Sequence, residues 1–251
     1  MKEYKQAILI GAAALGSEEK QLLSLLTWAG YGKKEATCTS DCRTCHGGCA
    51  KREIKKNVYV IAVDGGLKIL LKHYMKPDFF VGDLDSFAYD ETVTKETLQE
   101  WMKVIPHEIV PVQKDDTDMA LAVKKAVAEG YHDISIYGGL GGTRVSHTFA
   151  NVQLMSYYAK KDCRIQMVGD GIRMEILCNE TREFARNFKG SVSVICLSEK
   201  AKGVSIQGLK YEYEGDLTND VALGVSNSFV GKDATVSVKD GTLLLIYEKE
   251  E

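Results

Sequence analysis

Val58-Tyr59-Val60-Ile61-Ala62-Val63 runs without a break into Asp64-Gly65-Gly66. Six nearly continuous apolar positions, rich in β-branched residues, describe a strand covered on both faces, because a strand with one wet face alternates instead. The Asp-Gly-Gly that follows reads as a tight turn into a helix, with Asp64 able to cap it. Its glycines can also let the backbone approach a phosphate or a ring. A short helical pattern over residues 67–74 and a strand at residues 79–81 come next. Strand, helix and strand in succession build a parallel sheet.

The same alternation extends outward in both directions. Upstream, residues 7–10 read as a first strand and residues 17–29 as a helix capped by Ser17, with Leu22, Leu23, Leu25 and Leu26 as its apolar positions. Downstream come a helix at 94–104, a strand at 108–112, a helix from Thr117 to Glu129 stopped by Gly130, a strand at 133–137 and a helix at 146–160. Residues 1–162 therefore read as an α/β domain, a mostly parallel sheet with helices on both faces.

Beyond about residue 163 helical periodicity fades and β runs dominate, at 164–168, 191–197, 209–213 and 235–238. The last of these is expected to form a hairpin with 243–247 through Lys239-Asp240-Gly241. Residues 163–251 read as an antiparallel β-sandwich domain. Residues 31–56, rich in Lys, Thr, Gly and Cys and without periodicity, read as an insertion between two good α/β elements.

Composition narrows the function. The 251 residues are 45% hydrophobic and 27% charged, which is ordinary for a globular chain, and a net charge of -3 gives nucleic acid no basic surface to bind. Residues 7–15 faintly imitate a signal peptide, but the apolar run is short and Glu3 lies between Lys2 and Lys5. No apolar run approaches the roughly 20 residues of a membrane helix. A cytoplasmic location is expected. Of seven cysteines, Cys163, Cys178 and Cys196 sit among apolar residues as core thiols.

Four segments just after expected strands combine small residues with charge, and strand C-terminal ends converge on the ligand crevice of such a sheet. Val63-Asp64-Gly65-Gly66 is the first. In the second, Gly82-Asp83-Leu84-Asp85-Ser86, two carboxylates two residues apart suit a hard divalent cation. In the third, Lys114-Asp115-Asp116-Thr117-Asp118, Thr117 or Asp116 can cap the helix. Three aspartates in four residues exceed what capping requires, and their repulsion asks for a cation. The fourth, Gly138-Gly139-Leu140-Gly141-Gly142-Thr143-Arg144, can present amides to phosphate, with Arg144 adding charge. It does not end in the Gly-Lys-Ser/Thr of a Walker loop.

In this order and spacing the four segments resemble the thiamine pyrophosphokinase family, together with His147-Thr148-x-Ala-Asn151 and, later, Val225-Ser226-Asn227. The resemblance spans nearly the whole chain apart from residues 31–56. It implies a Rossmann-like N-terminal domain, a C-terminal β-sandwich and a homodimer with active sites between subunits. The implied activity is transfer of diphosphate from ATP to thiamine, leaving AMP. By the same likeness Asp83, Asp85 and Asp115 hold Mg²⁺ and the ATP phosphates, supported by Thr117 and Asp118. Asp64, Gly65, Gly66, Lys114, Arg144 and His147 belong to the nucleotide side, and Ser226 and Asn227 lie near thiamine. The family has Asp where this chain has Ser146. Two other functions remain open on the residues alone: diphosphate transfer to another alcohol, and a non-catalytic thiamine or metal sensor.

Inside the insertion, Cys38-x3-Cys42-x2-Cys45-x3-Cys49 offers four thiolates, with His46 beside them. That set suits structural Zn²⁺; an iron–sulfur cluster and an unliganded or reversibly oxidised loop are the other readings. Phe229, close to Ser226, is a candidate for stacking on thiamine and equally a sandwich core residue.

Overall fold

The computed structural model describes residues 5–32, 57–84, 91, 93–110, 115–141, 145–169 and 171–248. Six parallel strands form the first half: β1 (Gln6–Ile10), β2 (Val58–Val63), β3 (Phe79–Gly82), β4 (His107–Ile109), β5 (Asp133–Tyr137) and β6 (Arg164–Gly169). Between them run the helices α1 (Glu18–Trp28), α2 (Gly66–Lys72), α3 (Lys95–Met102), α4 (Asp118–Ala128) and α5 (Val145–Ala159). Alternation along β1 explains the layering. Ile8 and Ile10 pack with Leu22, Leu26, Leu67 and Leu98 on one face, and Ala7 and Leu9 pack with Met119, Ala122 and Met155 on the other. Both faces are dry, as the unbroken apolar run of β2 requires.

Eight more strands follow: β7 (Ile172–Cys178), β8 (Thr181–Phe184), β9 (Ser191–Cys196), β10 (Lys200–Gln207), β11 (Tyr213–Thr218), β12 (Gly224–Ser228), β13 (Ala234–Ser237) and β14 (Thr242–Glu248). Four of them extend the parallel sheet into one of ten strands, in the order β12-β9-β14-β7-β6-β5-β1-β2-β3-β4. The other four form a second sheet, β11-β10-β13-β8. Leu177, Val192, Leu243 and Tyr247 of the long sheet meet Phe184, Ile206 and Val236 of the short one in a single apolar core. The architecture is thus a mostly parallel α/β sheet continued into an antiparallel sandwich.

In detail, the second half differs from the sequence expectation. Residues 164–168 belong to both halves: β6 pairs in parallel with β5, from Asp133↔Arg164 to Tyr137↔Val168, because α5 returns the chain as a crossover, and antiparallel with β7 on its other side. The direction reverses only at the turn into β7. The expected hairpin also fails to form. β13 pairs with β8 and β10 in the short sheet, whereas β14 lies between β7 and β9 in the long one. Lys239-Asp240-Gly241 instead carries the chain across the sandwich, and Asp240 forms an antiparallel bridge with Lys202. The Asp240 N–H donates to the Lys202 carbonyl at 3.2 Å, and the Lys202 N–H donates back at 2.7 Å. An alternating pattern shows that a strand is half-buried but does not name its partner.

The expected strand at 209–213 does not form as one: residues 208–212 are a bent segment with Leu209 in an isolated antiparallel bridge to Phe229, and β11 begins at Tyr213. Gly208, with φ of 75°, ends β10, and buried Leu209 plugs the core from the loop. The helix ends are mixed. Thr117 Oγ1 accepts from the Ala120 N–H at 3.1 Å and caps α4, and Gly130, with φ of 84°, follows its last turn, both as expected. Ser17 makes no capping bond, because its own backbone is already helical.

Candidate active site

In the long sheet the chain steps from β1 through β2 and β3 to β4 on one side, then returns to place β5 on the other side of β1. The loops after β1 and β5 part at this reversal and leave a crevice. They are joined at its base. Gly11 N–H donates to Tyr137 O at 2.7 Å, and Ala13 N–H donates to Gly138 O at 3.1 Å. A Cβ on Gly11 would fall 2.5 Å from Gly138 O, so only glycine permits this approach.

A cavity of about 390 Å³ opens there, lined by Ala12, Ala13, Asp64, Thr117, Asp118, Gly139, Gly141, His147 and Asn151 among others. These residues come from several strand ends and helix starts. Asp64 follows β2 with φ of 47°, and its N–H donates to Val81 O at 3.0 Å. Its carboxylate lies against Gly82, the residue before Asp83. Thr117 and Asp118 open α4, so the positive end of that helix faces the cavity. Asp116 is drawn aside by Lys124, 2.5 Å away. His147 and the exposed Ser146 lie in the first turn of α5. Buried Asn151 donates from Nδ2 to Gly139 O at 2.8 Å and fixes the glycine loop against α5.

Other expected site residues lie elsewhere. Gly66 is glycine because a Cβ would fall 1.8 Å from Ile10 O; it packs α2 onto β1 and does not line the cavity, nor does Gly65. Asp115 is exposed just before α4. Asp85, Lys114, Arg144, Cys38, Cys42, Cys45 and Cys49 lie outside the described residues. Among the described residues, no group of three or more His, Cys, Asp or Glu side chains stands close enough to hold a metal ion.

Ser226 and Asn227 sit on β12, the far edge of the long sheet. Five strand spacings of about 4.8 Å separate β12 from β5, roughly 24 Å. Ser226 has φ of 59° at a break in the β12–β9 register, a conformation uncommon for a residue with a side chain. The Asn227 amide is engaged with backbone: Oδ1 accepts from Tyr211 N–H at 3.0 Å and from Ser228 N–H at 2.9 Å, and Nδ2 donates to Tyr211 O at 2.6 Å. It thereby holds up Tyr211, which is 61% exposed beside a second cavity of about 280 Å³. Phe229 instead packs on Phe184 and Phe188 with centroids 5.2 and 5.5 Å away, which makes it a core residue.

Residues 50–167 match the family model of the thiamin pyrophosphokinase catalytic domain, and residues 174–243 match that of the thiamin pyrophosphokinase vitamin B1 binding domain. The chain belongs to the thiamin pyrophosphokinase family. Its activity is that of a thiamine diphosphokinase, and neither transfer to another alcohol nor a purely sensory role is favoured.

Solved thiamin pyrophosphokinases share the fold. The chain is similar to the enzyme from Bacillus subtilis (TM-score 0.72, 21% identity, covering 98% of this chain and 100% of that one). The Geobacillus thermodenitrificans protein is comparable (TM-score 0.71, 22% identity, 98% of each chain). So is the yeast protein (TM-score 0.68, 13% identity, 99% of this chain and 87% of that one). No curated protein sequence matches the chain.

Three features around these two cavities were given no role from the sequence. Gly11, Ala12 and Ala13 line the crevice, and a Gly-Ala loop after a buried strand was the available signal. Asn151 declares itself through its bond to Gly139. Tyr211 is an aromatic 16 residues from the Asn227 that supports it, a pairing no local pattern reveals.

Proposed function

We propose that diphosphate transfer runs in the crevice between β1 and β5, by in-line attack of the thiamine hydroxyl on the β-phosphorus of ATP with AMP leaving. The observation that carries this reading is the convergence of Asp64, Thr117, Asp118 and His147 with glycine backbone on one cavity at the strand reversal. Phosphoryl transfer asks for alignment and charge neutralisation more than for covalent help. The α4 N-terminus and the loop amides favour phosphate oxygens, and a crevice aspartate accepts the hydroxyl proton.

The carboxylate donors fit a hard cation. Asp83, Asp85 and Asp115 would hold Mg²⁺, which would neutralise charge on the phosphates when bound. Lys114 and Arg144 add fixed positive charge, Asp64, Gly65 and Gly66 support the nucleotide side, and Ser226 and Asn227 serve the thiamine side. With β12 about 24 Å from the crevice in its own chain, the thiamine site is completed by a second subunit in a homodimer. Exposed Val145 and Phe149 beside the crevice, and Leu223 and Val225 beside Ser226, supply apolar surface for that contact.

The cysteine insertion joins the fold away from the chemistry. Gln6 N–H donates to Asn57 O at 3.0 Å, and Tyr31 Oη donates to Val58 O at 3.0 Å, both at the N-terminal ends of the strands. On ligand chemistry alone, four thiolates at this spacing suit a structural Zn²⁺ on Cys38, Cys42, Cys45 and Cys49. The free thiols of Cys163, Cys178 and Cys196 suit the cytoplasm, and among the described residues no helix is long and apolar enough to cross a membrane.

The test is AMP release from ATP by purified protein. Release that requires both thiamine and Mg²⁺ supports the proposal, and release that ignores thiamine refutes it.

A further inference from the structure

Glu18 is a charged residue in the first turn of α1, yet it is only 2% exposed. Its Oε1 accepts from the Gly171 N–H at 2.9 Å, across 153 positions of sequence. Gly171 lies in the turn from β6 to β7, where the parallel sheet gives way to the antiparallel half. Oε2 is buried without a hydrogen-bond partner, as is the Nε of Arg173 at the start of β7. The Tyr137 phenol feels the charge of both groups, and the backbone of that tyrosine closes the crevice base on Gly11.

Between Gly11 and Glu18 runs the loop that carries Ala12 and Ala13 into the cavity. Its first end is tied to β5 by the two backbone bonds at Gly11 and Ala13. Its second end has the Glu18 carboxylate as its tie to the other half of the molecule. Burial makes that tie strong, because a carboxylate deprived of water depends on the hydrogen bonds it receives.

We propose that Glu18 is a positioning residue for the nucleotide: it holds the β1–α1 loop in its binding shape by anchoring it to the β6–β7 turn. Glu18 touches neither substrate nor reacting atoms. Without it, the cost of ordering the loop falls on nucleotide binding. This inference rests on the crevice being the nucleotide site.

The test compares steady-state kinetics of the parent, Glu18→Ala and Glu18→Gln, with melting curves for each. In Glu18→Ala, KM for ATP is expected to rise about tenfold, the scale of one lost hydrogen bond to a charged group. Its kcat and its KM for thiamine should stay within about twofold of the parent, since no contact made only in the transition state is lost. Glu18→Gln keeps an acceptor for Gly171 N–H and should recover most of the ATP affinity. Should Glu18→Ala fail to fold, Glu18→Asp, too short to reach Gly171, is expected to raise KM for ATP in the same direction. An unchanged KM for ATP in a folded Glu18→Ala or Glu18→Asp overturns the proposal, as does an equal loss with both substrates. A parent that releases no AMP refutes the functional reading itself and is recognised before any variant is compared.

Discussion

The Oδ1 atom of Asp64 fills the space that a side chain on Gly82 would need: a Cβ built there falls 2.4 Å from it. The two residues lie at the ends of neighbouring strands, and Asp83 follows directly. The close fit sets the Asp64 carboxylate next to the first of the proposed cation ligands. Gly82→Ala should therefore displace Asp64, and because the same Cβ would lie 3.0 Å from the buried Phe80 ring on a backbone with φ of 158°, it should also lower the melting temperature. Turnover in the protein that remains folded is expected to fall by about a hundredfold, the scale of a misplacement of about 1 Å. Parallel assays of AMP release and thermal unfolding check this, and a fully active Gly82→Ala would refute it.

The distance between β12 and the crevice predicts complementation between subunits. Asp83→Asn damages the crevice and Tyr211→Ala the proposed thiamine side, so each homodimer should be impaired. A mixed dimer with sites built across subunits contains one intact site. After subunit exchange the mixture should recover about a quarter of parental activity. No recovery, with exchange verified by mass, would mean that each site lies within one chain.

Burial pushes the Cys163 thiol up to about 11, with the charge of Asp133 adding to the effect. Cys178 is less buried. At pH 8 the folded protein should therefore react with iodoacetamide at Cys178 at least about ten times faster than at Cys163, because the thiolate is the reactive form. Peptide mapping over time reads the two rates. Equal rates in the folded chain would contradict the buried placement of Cys163.

What could be read from the sequence was what neighbouring residues decide. The apolar run of β2, the Thr117 cap and the Gly130 stop each follow from a few adjacent side chains, and all three appear in the structure as expected. What escaped depends on residues far apart. Nothing local says that β13 and β14 belong to opposite sheets, since both fill one core. Ser17 has the chemistry of a cap and is bypassed because its own backbone is already helical. The site divides in the same way. Aspartates after strands point to the crevice through the logic of parallel sheets, whereas Asn151 acts through Gly139 and Asn227 through Tyr211. Such partnerships exist only once the chain has folded.

If the crevice carboxylates bring about transfer to thiamine, Asp83→Asn should reveal it: thiamine-dependent AMP release is measured for this variant beside a melting curve that certifies the fold. The expected result is no release above background from a protein that melts as the parent does. Release at the parental rate would contradict the claim.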